Sequence, residues 1–187
     1  MNNLRSSMYI SRIFIKNFRN FRHLDIEIGE GVTCFIGENN SGKTNLFYAL
    51  RLVIDGNISS NRRRLQKEDL SAGLTFSSPE HVLIAIEFAG FAGNPNEEAL
   101  PFAGVMQNGR ARLSYRFRPK PLVREEHEDT PPEQLPTDLT LDDYVWEMAA
   151  GADDVDLNAI TWKDSYGTRF STDNQGQCFV RGKLVMC

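Results

Sequence analysis

The residues with the clearest chemical potential lie in one short run, GENNSGKT, at positions 37–44. A triphosphate needs many hydrogen-bond donors in a concave loop, and successive backbone N–H groups at the start of a helix supply them. Gly37 and Gly42 permit backbone angles and close approaches that a side chain would prevent. Lys43 is expected to act in catalysis by placing its ammonium between the β- and γ-phosphates, and Thr44 is the expected Mg2+ ligand. The run therefore predicts ATP binding with Mg2+.

Such a loop needs a strand before it and a helix after it. Residues 32–36 (VTCFI) are nearly all apolar and predict a central strand that is buried on both faces, with Cys34 as a small buried residue. Residues 45–55 (NLFYALRLVID) predict an amphipathic helix that ends near Gly56. Its apolar positions recur at helical spacing, and they are Leu46, Phe47, Leu50 and Val53.

Four other segments predict strands, and three of them alternate between apolar and polar residues, which is typical of half-buried strands. Residues 9–18 and 23–28 are joined by a link short enough for a hairpin, and residues 81–88 and 110–118 form a second pair. We expect these four strands to build an antiparallel β-subdomain.

Residues 119–138 are rich in proline and carboxylates, so we expect an exposed linker or loop there. Thr140 and Asp143 are spaced like a capping box, which predicts a short helix over residues 140–150. Residues 169–171 and 178–186 again resemble strands. We interpret residues 1–118 as the N-terminal lobe of one domain. Residues 119–187 are then an acidic insertion, short helix and returning strands of the same domain.

Composition excludes several classes of protein. The longest run without Asp, Glu, Lys or Arg is eleven residues, too short for a membrane-spanning helix. Three widely spaced cysteines argue against a disulfide framework, so we expect a reducing, cytoplasmic location and no membrane partner. Residues 1–67 carry 11 Lys and Arg against 5 Asp and Glu, a balance of +6 that suits an anionic ligand.

The stretch IKNFRNFRHLDIEIGEGVTCFIGENNSGKTNLFYALRLVID, residues 15–55, resembles the start of a RecF- or SMC-like ABC-type ATPase. Within that group it is most similar to the OLD (overcoming lysogenization defect) family, whose members join such an ATPase to a C-terminal Toprim nuclease. The resemblance implies an α/β fold, a P-loop ABC-type ATPase lobe with an antiparallel β-subdomain. The architecture of the rest of the chain is only broadly similar.

The resemblance also assigns site residues. It places Arg19 and Asn20 near the adenine and ribose, and it makes Gln66 and Asp69 possible partners of Mg2+ or the γ-phosphate. Phe18 and Phe21 are better explained as core residues that fix the turn. The full set of expected nucleotide-binding residues is Arg19, Asn20, Gly37, Glu38, Asn39, Asn40, Ser41, Gly42, Lys43, Thr44 and Asn45.

Elements that complete hydrolysis in such ATPases do not occur in the sequence. Residues 82–87 (VLIAIE) lack the Asp-Glu end of a Walker B strand, so we interpret them as an antiparallel strand. No signature motif occurs, and Asp154-Val155-Asp156 follows no strand that would make it a Toprim metal site. We therefore expect an N-terminal fragment of a longer protein that hydrolyses ATP poorly alone.

Three functions fit these observations. The first is the ATPase module of an OLD-like ATP-dependent DNA endonuclease, acting in defence against phage. The alternatives are a RecF- or SMC-like DNA repair ATPase without a nuclease, and a regulatory pseudo-ATPase that only binds nucleotide. The resemblance implies DNA as a partner of the full-length protein and a homodimer or larger assembly through the ATPase heads. Arg62, Arg63 and Arg64 could contact DNA phosphates, although a solvated face or a helix end is the favoured explanation.

Overall fold

The computed structural model describes most of the chain outside its termini and longest loops. The described residues are 8–39, 41–74, 79–91, 108–126, 130–131, 134, 139–151 and 154–164, with the backbone of short strands between 168 and 185. The strands are β1 (Tyr9–Phe18), β2 (Phe21–Glu27), β3 (Val82–Ala89), β4 (Ala111–Pro119), β5 (Tyr144–Gly151), β6 (Thr168–Arg169), β7 (Ser171–Thr172), β8 (Cys178–Val180) and β9 (Lys183–Val185). The helices are α1 (Lys43–Ile54), α2 (Ser60–Arg63) and α3 (Pro121–Glu126).

Strands β1 to β6 form one antiparallel sheet in the order β2-β1-β3-β4-β5-β6. Ile13 of β1 lies opposite Ile26 of β2 on one side and Ile86 of β3 on the other. The predicted hairpin and antiparallel β-subdomain are therefore confirmed, and β3 is an antiparallel strand as expected. The strands predicted near the end of the chain also form, with β7, β8 and β9 in a separate small sheet.

The central strands are buried on both faces. One face carries Ile13, Ile15 and Phe117, and helix α1 packs against it through Leu52 and its neighbours. The opposite face, which includes Phe14, Leu83 and Ala85, is covered by Leu157 and Ile160. Because both faces of β3 are covered, that strand is apolar at nearly every position instead of alternating.

Residues 140–150 do not form the predicted helix. Thr140 and Asp143 do make the expected capping contacts, with the backbone N–H of Thr140 donating to Asp143 Oδ2 at 2.8 Å. These contacts cap only a single 3-10 turn, Leu141–Asp143, and β5 follows at once. Residues of β5 pair with β4 from Tyr144 to Gly151. Ladder bonds to β4 and the β-favouring start Tyr-Val-Trp outweigh the helix propensity of the later Glu-Met-Ala-Ala.

Residues 32–36 do not form the predicted buried strand. They belong to no strand or bridge, and the exposed fractions of Val32 and Ile36 are 95% and 94%. Cys34 is likewise exposed rather than buried. A strand buried on both faces needs partner strands beside it and packed layers on each side. Among the described residues, none of the strand pairs includes residues 32–36. This segment therefore lacks the neighbouring strands that would bury it.

The sheet continues beyond residue 119, since β5 pairs with β4 along its whole length. The division of the chain into residues 1–118 and 119–187 stays a prediction. Much of the acidic run, including residues 127–129 and 135–138, lies outside the described residues. Within the described part of the chain no helix is long and apolar enough to cross a membrane.

His81 is a buried titratable group at the start of β3. Only 4% of it is exposed, and burial is the largest cause that lowers its pKa from 6.5 to about 3. Three cations that face His81 lower its pKa further, and they are Arg116, Lys16 and Arg118. The carboxylate of Asp164 acts in the opposite direction and raises the pKa. His81 is therefore neutral in the folded chain at every pH above about 3.

We predict that this histidine makes folding stability depend on pH. Below the unfolded pKa the unfolded chain binds a proton that the folded chain does not, so stability falls as pH falls from about 6.5 toward 3. Between about pH 7.5 and pH 5.5 the expected loss in the free energy of unfolding is about 1.4 kcal/mol. Urea titrations of the wild type and of His81→Gln at both pH values measure it. An equal pH dependence in the two proteins would contradict the prediction.

Candidate phosphate-binding site

The start of α1 and the loop before it form a concave site. Helix α1 begins at Lys43, and Gly42 before it has a φ of 98°, in the left-handed region. A cleft of about 190 Å³ lies there, lined by Asn39, Gly42, Lys43, Thr44 and Asn45. The first N–H groups of a helix have no intrahelical partners and carry the positive end of the helix dipole. This arrangement suits a bound anion, as the sequence predicts.

Lys43 folds back over the loop that precedes it. Its ammonium donates to the carbonyl oxygens of Gly37 and Glu38, both at 2.6 Å, and to Ser41 Oγ at 3.3 Å. These contacts draw the two ends of the loop together around one positive charge. An anion with several oxygens can replace these carbonyls as the partner of the ammonium, since Lys offers three donors.

The turn between β1 and β2 packs directly against Gly42. A Cβ atom at position 42 would lie 2.2 Å from Nδ2 of Asn20, so the Asn20 side chain would have to move and give up its present place beside the helix. At Gly37 the nearest atom to an added Cβ would be Ser41 Oγ at 2.7 Å. The second glycine of the motif therefore serves the contact with the hairpin turn as well as the shape of the loop.

Arg19 joins the hairpin turn to the first turn of α1. It has a positive φ of 49°, and its Nη1 donates to Asn45 Oδ1 at 2.9 Å. Asn45 in turn donates through Nδ2 to Asn20 Oδ1 at 2.7 Å. The Arg19 guanidinium lies over the ring of Tyr48, 4.3 Å from its centroid, in a cation–π contact. Arg19 and Asn20 thus lie beside the phosphate loop, and their expected place near adenine and ribose stays a prediction.

Asp69 contacts Arg19 rather than the phosphate loop itself. Its Oδ1 accepts from Nε of Arg19 at 3.0 Å and from Nη2 at 2.8 Å. The other oxygen, Oδ2, accepts from the backbone N–H of Gln66 at 3.0 Å. Both oxygens of Asp69 thus accept from Arg19 or Gln66. The expectation that Asp69 serves Mg2+ or the γ-phosphate indirectly stays a prediction.

Most of the sequence-predicted site residues lie together. The loop residues, Asn45 and the hairpin residues Arg19 and Asn20 meet at the start of α1, while Asn40 lies outside the described residues. Sequence reasoning did not find Tyr48. Its position three residues after Asn45 on one helix face was the available signal, because residues i and i+3 are neighbours on a helix. As expected, Phe18 belongs to the core, where its ring stacks on Tyr48.

Two other acidic residues considered for a role in the site make contacts with neighbouring strands or within their own turn. Glu87 on β3 pairs with Arg12 at 3.4 Å and with Arg112 at 3.5 Å, which agrees with its interpretation as a residue of an ordinary strand. Asp156 is exposed, and its Oδ1 accepts from the backbone N–H of Asn158. Within the described residues no group of three or more His, Cys, Asp or Glu side chains is placed to hold a metal ion.

The arginine cluster after α1 is largely structural. Arg63 is only 4% exposed and donates to the carbonyl oxygens of Leu52 and Asp55 at the end of α1, at 3.1 and 2.7 Å. Arg64 pairs with Asp142 at 2.6 Å. Burial lowers the pKa of Arg63, the direction that desolvation of a cation gives. The hypothesis that Arg63 contacts DNA phosphates is therefore wrong, since its guanidinium caps a helix.

Comparison with known proteins identifies a family. A family model described as "AAA ATPase domain" matches residues 8–144. The DNA replication and repair protein RecF of Clostridium botulinum (strain Eklund 17B / Type B) is 44% identical over 43 residues, which cover 23% of this chain and 12% of that protein. RecF of Bacillus mycoides (strain KBAB4) is 38% identical over 68 residues, 35% of this chain and 18% of that protein. The chain thus spans less than a fifth of the length of these relatives.

Two solved structures are similar to the chain at low identity. One comes from work on "ATP-driven dimerization and DNA stimulated activation of SMC ATPases"; it is 23% identical with a TM-score of 0.41 and covers 59% of this chain and 63% of its own. The other is the recombination mediator protein RecF with ATP, which is 24% identical with a TM-score of 0.39 and covers 60% of this chain and 25% of its own.

We predict that Gly42→Ala is much more disruptive than the matched substitution Gly31→Ala. Both glycines have a left-handed φ, 98° and 108°, so both substitutions introduce backbone strain of about 1 kcal/mol. Only at position 42 would the added methyl meet another group, whereas nothing lies within 4 Å of it at position 31. Urea unfolding of the two variants measures the difference in the free energy of unfolding. The double variant Gly42→Ala, Asn20→Ala should regain part of the stability that Gly42→Ala loses. Equal destabilisation of the two single variants would contradict the packing argument.

Proposed function

Since the chain belongs to the AAA ATPase domain family, we propose that it is the ATP-binding part of a RecF- or SMC-like ABC-type ATPase. The observation that carries this proposal is the geometry at the start of α1. A helix N-terminus, a left-handed glycine and a lysine that folds over its own loop meet in one cleft, which is lined by Asn39, Gly42, Lys43, Thr44 and Asn45. The finer assignment of an α/β P-loop lobe is part of the same proposal.

In this proposal the backbone N–H groups of the loop and of α1 bind the phosphates of ATP. Lys43 leaves the carbonyls of Gly37 and Glu38 and places its charge between the β- and γ-phosphates. Arg19, held at the same end of α1, adds a second cation. The helix dipole and the two cations offset part of the negative charge of a triphosphate.

The residues present suit Mg2+ at one position. Thr44 is exposed in the cleft next to Lys43, and a hydroxyl oxygen is a ligand type that Mg2+ accepts. Mg2+ commonly keeps several waters and binds through one or two protein groups plus phosphate oxygens, so a rich protein cage is unnecessary. When bound, the ion neutralises charge on the β- and γ-oxygens. Thr44 would hold it, and Lys43 would orient the phosphates beside it.

The similarities favour the RecF and SMC alternative over the OLD endonuclease reading. Both RecF proteins align with less than half of the chain and are named for DNA replication and repair. None of the relatives described above supports a Toprim nuclease or a role against phage, and these stay predictions. DNA as a partner and a homodimer through the ATPase heads are likewise proposed, since the whole protein's activity lies beyond the short aligned region.

We predict that Lys43→Ala weakens ATP binding by at least about tenfold, because a charge-assisted contact to phosphate contributes about 1.5–3 kcal/mol. Lys120→Ala is the matched control, since it removes the same charge from an exposed lysine at the start of α3. Titration calorimetry with Mg2+ and ATP measures both affinities. Equal affinities for Lys43→Ala and wild type would refute the proposed function.

We also predict that this chain binds ATP but turns it over slowly. The five residues that line the cleft include no carboxylate, and Glu87 is engaged by Arg12 and Arg112. Phosphoryl transfer to water needs a group that positions or activates that water. Phosphate release by this chain should stay far below that of a complete ABC-type ATPase under equal ATP and Mg2+. Comparable rates would mean that the described residues already contain the catalytic group.

A further inference from the structure

The least explained group at the site is the carboxylate of Asp69. It is 7% exposed, and all three hydrogen bonds that it accepts come from two neighbours, Arg19 and Gln66. Backbone contacts fix the same place, since Arg19 N–H donates to the Asp69 carbonyl oxygen at 2.9 Å and Ser71 N–H to that of Asn17 at 3.1 Å. A buried carboxylate beside a site for anions needs a reason, because its charge repels the ligand.

The free donors of Arg19 supply that reason. A guanidinium has five N–H groups in a planar fork. Two of them bind Asp69 and one binds Asn45. The other two have no partner among the residues that the structure describes, and 31% of the side chain is exposed. Tyr48 lies under the plane of the guanidinium and restricts its tilt.

We propose that Asp69 is a positioning residue that holds Arg19 against Asn45, so that its two unused N–H groups meet the nucleotide at the phosphate loop. This inference rests on the proposed ATP-binding function and adds a residue to it. Asp69 does not touch the nucleotide, and it acts only through the guanidinium. The ion pair between Arg19 and Asp69 orders the flexible arginine side chain before ATP binds. ATP binding then does not have to bear the entropy cost of ordering it.

The sign of one measurement separates positioning from simple charge. If Asp69 affected ATP only through its negative charge, its removal would tighten ATP binding. If it positions Arg19, removal weakens binding even though the site becomes more positive. Asp69→Asn serves this purpose because it keeps the size of the side chain while removing the charge and one acceptor oxygen.

Titration calorimetry should compare wild type, Asp69→Asn, Arg19→Ala and the double variant with Mg2+ and ATP. We expect Asp69→Asn and Arg19→Ala each to weaken binding by about tenfold. The double variant should bind no more weakly than Arg19→Ala, because residues that act as one unit are not additive. Asp142→Asn is the control, since it removes an exposed carboxylate that pairs with Arg64, and its affinity should be unchanged.

A second readout follows Arg19 directly. In ¹⁵N spectra of the full chain, Arg19 Nε–H should exchange slowly with water in the wild type, quickly in Asp69→Asn, and shift when ATP binds. If Asp69→Asn does not fold, the wild-type spectrum decides, and fast exchange or no shift with ATP overturns the inference.

The outcomes separate the two proposals. If the wild type binds no ATP, the proposed function is wrong and this inference falls with it. If the wild type binds ATP while Asp69→Asn binds equally or more tightly, or while the two single effects add, only the role of Asp69 is overturned.

Discussion

The site depends on one close approach, that of the β1–β2 turn to the first residues of α1. Asn20 lies so near Gly42 that a Cβ atom there would displace the Asn20 side chain, and Arg19 reaches across to Asn45. The turn itself carries backbone strain, since Asn17 and Arg19 both have a positive φ, which costs about 1 kcal/mol or more for each such residue. Hydrogen bonds from both residues offset that strain. A rigid sheet thereby fixes the place of the phosphate loop.

The other end of α1 is fixed by an equally specific contact. Arg63 donates to the last free carbonyl oxygens of the helix, and its guanidinium lies 5.7 Å from the ring centroid of Trp146 on β5. Tyr115 on β4 donates its hydroxyl to the Arg63 carbonyl oxygen. The helix is therefore held to the sheet at both ends, and its apolar face fills the space between. This fixes the direction of the helix dipole toward the cleft, where a positive end can stabilise phosphate.

The elements that sequence patterns predicted are those whose signals are local. Alternation marked β1, β2 and β4, and helical spacing marked α1, because each pattern reports one buried face of one segment. The pair Arg19 and Asp69 joins residues 50 positions apart, and no local pattern encodes such a contact. The segment at residues 32–36 failed for the converse reason. Its composition indicates burial, but burial depends on partner strands elsewhere, and the described residues provide none.

The two ends of the phosphate loop are held to different extents. Its exit into α1 is anchored by Asn20, Arg19 and the helix itself, whereas its entry through residues 32–36 has no ladder bonds and is exposed. Among the entry residues Phe35 is partly buried and meets Phe47 edge-on, at 6.5 Å between centroids. An entry without ladder bonds is held by fewer contacts than the exit. If the proposed function holds, we therefore expect the anchored side, with Lys43 and the guanidinium of Arg19, to provide most of the binding free energy.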